Sequence, residues 1–569
     1  MVGTAMTGAV ATRTTTEGTM PDSTRRKKRL TLACMCFALF MVMLDSTVVN
    51  LALKTIQVKM GASYSEVQWI VDAFVLALAS LLLTGGTLGD LFGRRKAFLA
   101  GLALFTGGSV MCALAPSTSF LIGSRVVQGV GGALMLPSTL SIITNTFRDP
   151  RERARAIGMW AGISGLALAI GPLIGGTLVD RFDWQSIFWI NVPIGVVALV
   201  MAVLFVPESS DRAGRSLDLP GQITAVIGLV ALTYAFIEAN TYGWTSARIV
   251  TCFVVAAVAL GLFLVIELRS RSPLLQLKFF RNGTFSGANL VGVIVSFAFF
   301  GVIFFLSLYM QEVQGYSPTQ AGALQLPATL GIMASAIVSG RIVGRIGARL
   351  PITIGLLMTG AALLFLTSLQ PHTGYASFWY WLLLMGVGNG LIMSPMTTAI
   401  MGTVPAPRAG MASATSNTMR QVGSVFGIAV LGNLVTRPLT DHTLTALRGL
   451  HLPPAIVNGI MTAVTEGRDM AAGRMPPGVD VTALRHVAES ASAAGFTAGL
   501  HSALWVSGVM LLVAAPIALA TIRGTAPHHV AAREAAGKAR VEARAGAAGA
   551  HAAGREAGPA AVEPVEVES

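Results

Sequence analysis

Long apolar runs separated by short polar connections extend over most of the 569 residues. A helix that crosses a membrane needs about 20 mostly apolar residues, and fourteen segments of the chain meet that requirement. These segments cover roughly residues 30–53, 67–88, 97–115, 119–143, 154–179, 186–206, 219–239, 248–268, 288–312, 321–342, 351–369, 377–403, 409–434 and 500–522. The pattern predicts an all-α membrane protein with fourteen transmembrane helices.

The chain also repeats itself at an offset of 254 residues. The connections after the second and the tenth predicted span share Gly86, Gly93 and Arg95 in the first copy and Gly340, Gly347 and Arg349 in the second. We therefore expect two homologous six-helix bundles, at 30–206 and 288–522, with two inserted helices at 219–268. Bundles related by an axis along the membrane normal are typical of transporters that work by alternating access.

Basic residues indicate how the chain is oriented in the membrane. Of the 40 Lys and Arg, 29 fall on the side of the N-terminus, 9 on the opposite side and 2 inside predicted helices. Because basic residues accumulate on the cytosolic side, we expect a multi-pass protein of a bacterial cell (inner) membrane with both termini in the cytosol. Residues 1–29 and 523–569 would then be cytosolic tails, and residues 435–499 a long external loop.

Composition excludes several classes of protein. The chain is 53% hydrophobic and 12% charged, whereas a soluble domain carries about 25% charged residues. Its net charge of +13 comes from short basic runs between apolar segments, so we expect no nucleic-acid partner. The four cysteines lack the spacing of a zinc site, and no phosphate-binding loop of an ATP-driven pump occurs. We therefore expect no metal, no cofactor and no enzymatic activity.

Three ionisable residues lie inside the first predicted bundle. At 1.5 Å per residue, Asp45 lies about 12 Å from one end of its span, and Asp72 and Arg125 lie about 9 Å from the same side. This shared depth predicts that they line one cavity. A buried carboxylate is costly and needs a partner, water or a proton, so Asp45 is the first candidate for a proton carrier and Asp72 the second.

Each of these residues also has a structural interpretation. Asp45 could make polar contacts to Thr47, Asn50 or a neighbouring helix, and Arg125 could bond a backbone carbonyl. Asn50 could serve helix packing or line the cavity. Weaker acidic candidates lie at the ends of spans and are Glu238, Glu267 and Glu312.

Two further groups of residues suit a conformational role. The fifth span contains Gly171, Pro172, Gly175 and Gly176, which would allow close helix packing and bend the chain. Such a helix could seal a leak path between the bundles, or simply pack. In the connection after the second span, Asp90 precedes Arg94 and Arg95, and its carboxylate could meet the positive amino terminus of another helix. The basic residues of that connection also favour its location on the cytosolic side of the membrane.

Six segments of the chain resemble sequence motifs of the major facilitator superfamily, and specifically of its fourteen-helix drug:proton antiporter family. The matching segments are 44–53, 69–72, 86–96, 125–129, 167–176 and 184–193. The chain departs from the family pattern at Lys54, Leu91 and Ala167. The resemblance implies that Asp45, Asp72 and Arg125 couple proton and substrate, that Asn50 and Gln128 line the cavity or gate, and that the Asp90 contact favours an outward-open state.

The resulting expectation is a monomeric, secondary active, proton-coupled antiporter that exports small drugs or antibiotics. The middle of predicted spans 10 to 13 contains no acidic residue, which favours lipophilic or monocationic substrates. Its partners would be the small molecule, protons and the lipid bilayer. A proton symporter that imports a nutrient, an exporter of an endogenous metabolite or siderophore, and a membrane sensor are the alternatives.

Overall fold

The computed structural model describes residues 22–147, 149–210, 217–270, 273–404, 409–450, 453–466 and 481–523. Within these ranges the chain forms helices and no strand. The α-helices are α1 (Asp22–Met60), α2 (Tyr64–Phe92), α3 (Arg94–Ala113), α4 (Thr118–Thr146), α5 (Pro150–Phe182), α6 (Ser186–Trp189), α7 (Asn191–Phe205), α8 (Leu219–Tyr242), α9 (Ala247–Arg269), α10 (Gly283–Leu308), α11 (Pro318–Leu324), α12 (Leu326–Ile346), α13 (Arg349–Leu366), α14 (Trp379–Met401), α15 (Ala409–Gly449), α16 (Pro454–Glu466) and α17 (Val481–Thr521). Nearly all of the two predicted cytosolic tails falls outside the described residues.

The predicted number of membrane spans is confirmed for the described part of the chain. Thirteen helices are long and apolar enough to cross a membrane, or fourteen when the two arms of the bent α5 count as one span. Each predicted segment overlaps one of these helices. The helices extend beyond the apolar segments, because the polar residues at their ends continue the helical backbone.

The helix α5 is bent by 42° between residues 155–167 and 170–182. Pro172 lies just after the bend. Because proline has no N–H, it cannot bond the carbonyl four residues earlier, at the break between the two arms. The bend predicted from the Gly-Pro sequence is therefore present.

The two bundles repeat the same packing. In the first bundle α1 packs on α5 and α7, α3 on α4 and α7, and α2 on α4. In the second bundle α10 packs on α15 and α17, α13 on α14 and α17, and α12 on α14. The 254-residue offset relates the helices from α1 through α5 to the corresponding helices of the second bundle, and α7 and α17 take equivalent places in the packing although that offset does not relate them. The internal repeat of the sequence is therefore also a repeat of the packing.

The described contacts between the bundles concentrate at one end of the molecule. We call it the Met60 end, where α1 ends and α2 begins, and we call the opposite end the Arg94 end. At the Met60 end, α5 packs on α11 and α12, and α2 packs on α15. In the Arg94 half of α5, a side chain added at Gly158, Gly162 or Gly165 would meet no atom within 4 Å. The bundles are thus closed at the Met60 end and apart at the Arg94 end.

The inserted helices α8 and α9 pack on each other, and α8 also contacts both bundles. On the first bundle, Gln222 donates a hydrogen bond to the Ser80 carbonyl at 2.8 Å, and Glu238 accepts one from the Trp69 indole at 3.1 Å. On the second bundle, Asn240 donates to the Asn433 carbonyl at 3.4 Å. The inserted pair therefore follows α2 along its length and meets α15 near the Met60 end.

The segment 435–499, which was expected to be a loop, is helical over most of its described residues. At 1.5 Å per residue a 41-residue helix is about 60 Å long, twice the apolar thickness of a bilayer of about 30 Å. The ends of α15 and α17 therefore project beyond the membrane, where they pack with α16. Their contact is a small apolar cluster that contains Leu447, Val457, Ile460 and Ala488. This periodic apolar pattern is the signal that the loop interpretation missed.

Candidate functional site

Asp45 of α1 and Arg125 of α4 form a buried ion pair. The Nη1 of Arg125 donates to Oδ2 of Asp45 at 2.5 Å, and the two side chains are 1% and 0% exposed. The other carboxylate oxygen accepts from the amide of Asn191 at 3.0 Å and from that of Gln128 at 3.3 Å. Both oxygens of Asp45 are therefore satisfied, as a buried charge requires.

Arg125 has partners beyond the carboxylate. Its Nε donates to the carbonyl of Ile70 at 3.0 Å, and its guanidinium carbon lies 4.4 Å from the centre of the Phe74 ring. Its Nη1 also donates to Oε1 of Gln128 at 2.8 Å. The sequence left two alternatives for Arg125, a carboxylate partner or a bond to a backbone carbonyl. Arg125 makes both contacts at once.

Gln128 connects this pair to a wider polar network. Its Nε2 donates to Oγ of Ser109 at 2.7 Å, and its Oε1 accepts from the thiol of Cys112 at 3.2 Å. Ser109, Cys112 and Asn191 are not among the site residues predicted from the sequence. The signal that could have found them is a polar side chain at the depth of Asp45 in a neighbouring span.

Asp72 of α2 stands apart from this network. It is 0% exposed, and neither carboxylate oxygen has a hydrogen-bond partner among the described residues. It lies one helical turn from Gln68, which contacts Gly432 of α15 in the other bundle. Asp72 is thus a buried carboxyl group on α2, the helix of the first bundle that packs against α15 of the second bundle.

The expected cavity shared by Asp45, Asp72 and Arg125 is not present in this conformation. The three residues are 0%, 0% and 1% exposed, and no described hydrogen bond or ion pair joins Asp72 to the other two. The reason is that the guanidinium fills the space beside Asp45. Asp45 has a full set of hydrogen-bond partners and Asp72 has none among the described residues, and the order of the two acids as proton carriers stays a prediction.

The glycines of α5 lie where α5 meets α1. An added side-chain carbon at Gly171 would lie 2.0 Å from the hydroxyl of Thr47, and one at Gly175 would lie 2.8 Å from the Cα of Val48. Only glycine allows backbones to approach this closely. Asn50 lies nearby, 6% exposed, and its carbonyl accepts a hydrogen bond from Ser307 of α10 at 3.0 Å.

Gly176 and Pro172 face the second bundle instead. A side-chain carbon at Gly176 would lie 2.2 Å from the carbonyl oxygen of Pro318, and one at Gly322 would lie 2.2 Å from the carbonyl oxygen of Pro172. Asp180 accepts hydrogen bonds from the hydroxyl of Ser317 at 3.0 Å and from the backbone of Thr319 at 2.9 Å. The predicted motif of α5 therefore forms part of the contact between the bundles.

A second polar contact crosses between the bundles at the Met60 end. Glu312, in the π-helical turn that continues α10, accepts a hydrogen bond from the hydroxyl of Tyr64. The Nζ of Lys54 lies 3.7 Å from the same carboxylate. Lys54 occupies the position where the family pattern has proline. From its position at the end of a span, Glu312 was predicted to be a weaker candidate for the acidic site. Its contact with the first bundle was not predicted.

The connection between α2 and α3 is held within the first bundle. The Nε of Arg94 donates to Asp90 at 2.7 Å, and the backbone N–H of Arg95 donates to Glu208 at 3.1 Å. Gly93 has a φ of +116°, and a side-chain carbon there would lie 2.8 Å from the carboxylate of Glu208. The positive φ favours glycine at this position, and a side-chain carbon there would also displace the carboxylate of Glu208. A contact of Asp90 with the amino terminus of another helix stays a prediction.

Gly86 also belongs to this connection, and it lies against α4, because a side-chain carbon there would lie 3.4 Å from the ring of Pro137.

At the Met60 end a separate cavity of about 960 Å³ opens between the bundles and α8. Polar side chains supply much of its lining, among them Ser63, Glu66 and Asn240, but Asp45 and Asp72 do not. No group of three potential metal ligands occurs in the described part of the chain.

Comparisons with known proteins identify relatives of this chain. The family model of the Major Facilitator Superfamily matches residues 35–428. The multidrug resistance protein Stp of Mycobacterium tuberculosis is 38% identical over 72% of this chain and 76% of its own length. The tetracenomycin C resistance and export protein of Streptomyces glaucescens is 36% identical over 86% and 91%. The methylenomycin A resistance protein of Streptomyces coelicolor is 38% identical over 69% and 82%.

Solved structures share the fold at low sequence identity. A bacterial homolog to the human lysosomal transporter Spinster, in an inward-facing and unoccupied conformation, has a TM-score of 0.58 at 18% identity and covers 87% of this chain and 98% of its own. A peptide transporter in complex with sulfate has a TM-score of 0.54 at 15% identity, with coverage of 87% and 96%. At these identities the likeness shows the arrangement of helices alone.

Proposed function

Since this chain belongs to the major facilitator superfamily, we propose that it is a secondary active transporter that exports small lipophilic or monocationic drugs or antibiotics in exchange for protons. Three relatives that are 36–38% identical are named as drug or antibiotic resistance proteins, one of them an export protein. Their similarity supports export as the direction.

The proton coupling is inferred from the surroundings of Asp72. Its carboxyl group is fully buried and has no hydrogen-bond partner in the part of the chain that the structure describes, and it lies on the helix that packs against the opposite bundle. A carboxylate buried in this way is costly, and a proton or a cationic cargo removes that cost. When α2 moves relative to α15, the surroundings of Asp72 change, so the two states of the transporter differ in their affinity for the proton.

The Asp45–Arg125 pair has a different role in this proposal. Each partner is held by the other and by neutral side chains of α4 and α7. The pair keeps α1, α4 and α7 together while the bundle moves as a unit. Asp45 exchanges a proton only when its bond to Arg125 opens, which the present closed packing does not permit.

Alternating access is supported by two glycine-lined faces of α5. The face at the Met60 end contacts α11, and the face at the Arg94 end, with Gly158, Gly162 and Gly165, has no neighbour within 4 Å. In α12 of the second bundle, an added side chain at Gly344 would also meet nothing within 4 Å. A rocking motion would open the first contact and bring these unoccupied faces together.

The side of the membrane follows from the distribution of basic residues. With the Arg94 end in the cytosol, the present conformation faces inward and is the state in which an exporter loads its cargo. Cargo leaves when the Met60 end opens, and a proton returns through Asp72. One charge that crosses 100 mV supplies about 2.3 kcal/mol for this cycle.

Proton release driven by cargo tests the proposal. In inside-out vesicles at an imposed proton gradient, rhodamine B ethyl ester, a lipophilic monocation, should cause release of protons from vesicles that contain the wild-type protein. Asp72→Asn should abolish that release, and the exposed control Asp441→Asn should not. Release at the wild-type rate from Asp72→Asn would contradict the assignment. Accumulation of the dye only in right-side-out vesicles would favour an importer.

A further inference from the structure

Arg420 is a second arginine inside the membrane part, and its surroundings differ from those of Arg125. It lies on α15, about 18 Å from Gly432 toward the Arg94 end. Its Nη2 donates to the amide oxygen of Asn417 at 2.5 Å, and its Nη1 lies 3.4 Å from the sulfur of Met393 on α14. No described carboxylate lies within 4 Å of it.

A guanidinium group in this setting lacks an anionic partner. It stays charged at any pH a cell experiences, and it presents five N–H donors in a planar fork that matches a carboxylate. The amide oxygen of Asn417 and the thioether of Met393 are neutral and use only part of that fork. Arg125 differs in this respect, because its guanidinium pairs with Asp45 in the first bundle.

A second donor without a described partner occurs on α14, the helix that also supplies Met393. Asn389 is 2% exposed, and its amide nitrogen has no hydrogen-bond partner among the described residues. It lies one helical turn from Met393, on the same face of α14. Asn389 and Arg420 thus provide two donors for an acceptor group, on two helices that are in contact.

The position is reachable from the Arg94 end. Arg420, Asn417 and Met393 are partly exposed, whereas the stretch 427–429 of α15, nearer the Met60 end, is buried. The side chain of Arg420 also borders Gly292 of α10, so it lies where three helices of the second bundle meet. An inward-facing conformation leaves this junction open to a molecule that enters between the bundles.

We propose that Arg420 binds an acidic group of the exported molecule, with Asn389 as a second donor. The proposal rests on the proposed function and adds to its substrate class a preference for lipophilic molecules that carry a carboxylate or an ionised phenol. A cargo with a basic group as well would be amphoteric. Its basic group could compete with the proton at Asp72 in the first bundle, while its acidic group pairs with Arg420 in the second.

Two dyes that differ by one ester test this inference without a proton gradient. Rhodamine B carries a free carboxylate, and its ethyl ester does not. Fluorescence anisotropy with the purified full-length protein should give tighter binding of rhodamine B than of the ester. Arg420→Gln should weaken rhodamine B binding about tenfold or more, because it removes a hydrogen-bonded charge pair, and should leave the ester unchanged. Arg420→Lys should restore part of the affinity.

A matched control separates charge recognition from damage to the helix. Arg437→Gln makes the same substitution at an exposed position of α15 and should affect neither dye. Equal losses for both dyes in Arg420→Gln, no loss for either, or a wild-type protein that does not prefer rhodamine B would overturn the inference. If proton release driven by the ester persists in that case, the proposed function stands and only the substrate class is wrong.

Discussion

Replacement of Gly176 by alanine should open the Met60 end of the transporter. The new carbon would lie 2.2 Å from the carbonyl oxygen of Pro318 and 2.7 Å from the Cα of Thr319. Both are backbone atoms that no side-chain rotation can move. Since non-bonded carbon contacts need about 3.5 Å, α5 and α11 must separate by about 1 Å.

The size of the effect follows from the cost of overpacking. An extra methyl group in a close contact costs about 1–3 kcal/mol. The whole cost falls on the state closed at the Met60 end, because α5 and α11 part when that end opens. The ratio of this state to the outward-open state should therefore fall about 5- to 150-fold.

Gly162 provides the reverse perturbation on the same helix. A side chain added there meets nothing within 4 Å in the present state, so Gly162→Ala should cost nothing in it. The cost arises only when the Arg94 end closes, and the population should shift toward the inward-facing state. Gly123→Ala, at an exposed glycine of α4 that also has no neighbour within 4 Å, is the neutral control.

Distances between spin labels measure these shifts. Val58 and Leu450, 51% and 43% exposed, are suitable label sites at the Met60 end in a protein whose four native cysteines are replaced. The longer distance should gain population in Gly176→Ala and lose it in Gly162→Ala. If Gly176→Ala gave the same distribution as Gly123→Ala, the α5–α11 contact would not be part of the seal.

Two other changes test contacts of the site. Asp45→Asn leaves Arg125 buried without its counter-charge, so thermal unfolding in detergent should show a loss of about 3–5 kcal/mol, and an unchanged melting temperature would refute the ion pair. Glu312→Gln removes the charge that Lys54 and Tyr64 meet across the bundles. Because Lys54 is partly exposed, we expect the equilibrium between the two states to shift toward the open Met60 end by only about 0.2–1 kcal/mol, as measured by the same spin-label distances. An unchanged distance distribution would show that this contact does not stabilise the closed end.

The sequence predicted the architecture because membrane burial imposes a simple pattern. An apolar run of about 20 residues specifies a span, and the 254-residue repeat specifies which spans are equivalent. The helical cap formed by the ends of α15, α16 and α17 was missed, because its apolar residues are spaced along amphipathic helices and form no continuous run. Leu447 and Ile460, for example, are buried in one cluster together with Ala488 of α17.

The residues of the site could be named from the sequence, but their partners could not. Depth along a span placed Asp45, Asp72 and Arg125 at one level, and depth does not determine direction around the helix axis. Arg125 points toward Asp45, whereas Asp72 lies on the face of α2 that carries Gln68. The contact of Lys54 with Glu312 joins residues 258 positions apart, and no periodicity along either helix reports it.

In the proposed cycle Asp72 holds a proton in the inward-facing state and releases it to water when cationic cargo binds. Infrared difference spectroscopy of the purified protein, on addition of rhodamine B ethyl ester, measures this directly. We predict loss of the carbonyl band of a protonated carboxyl group in the wild-type protein, and no such band in the difference spectrum of Asp72→Asn. A band that persists when cargo binds, or that is lost equally in Asp72→Asn, would contradict the account.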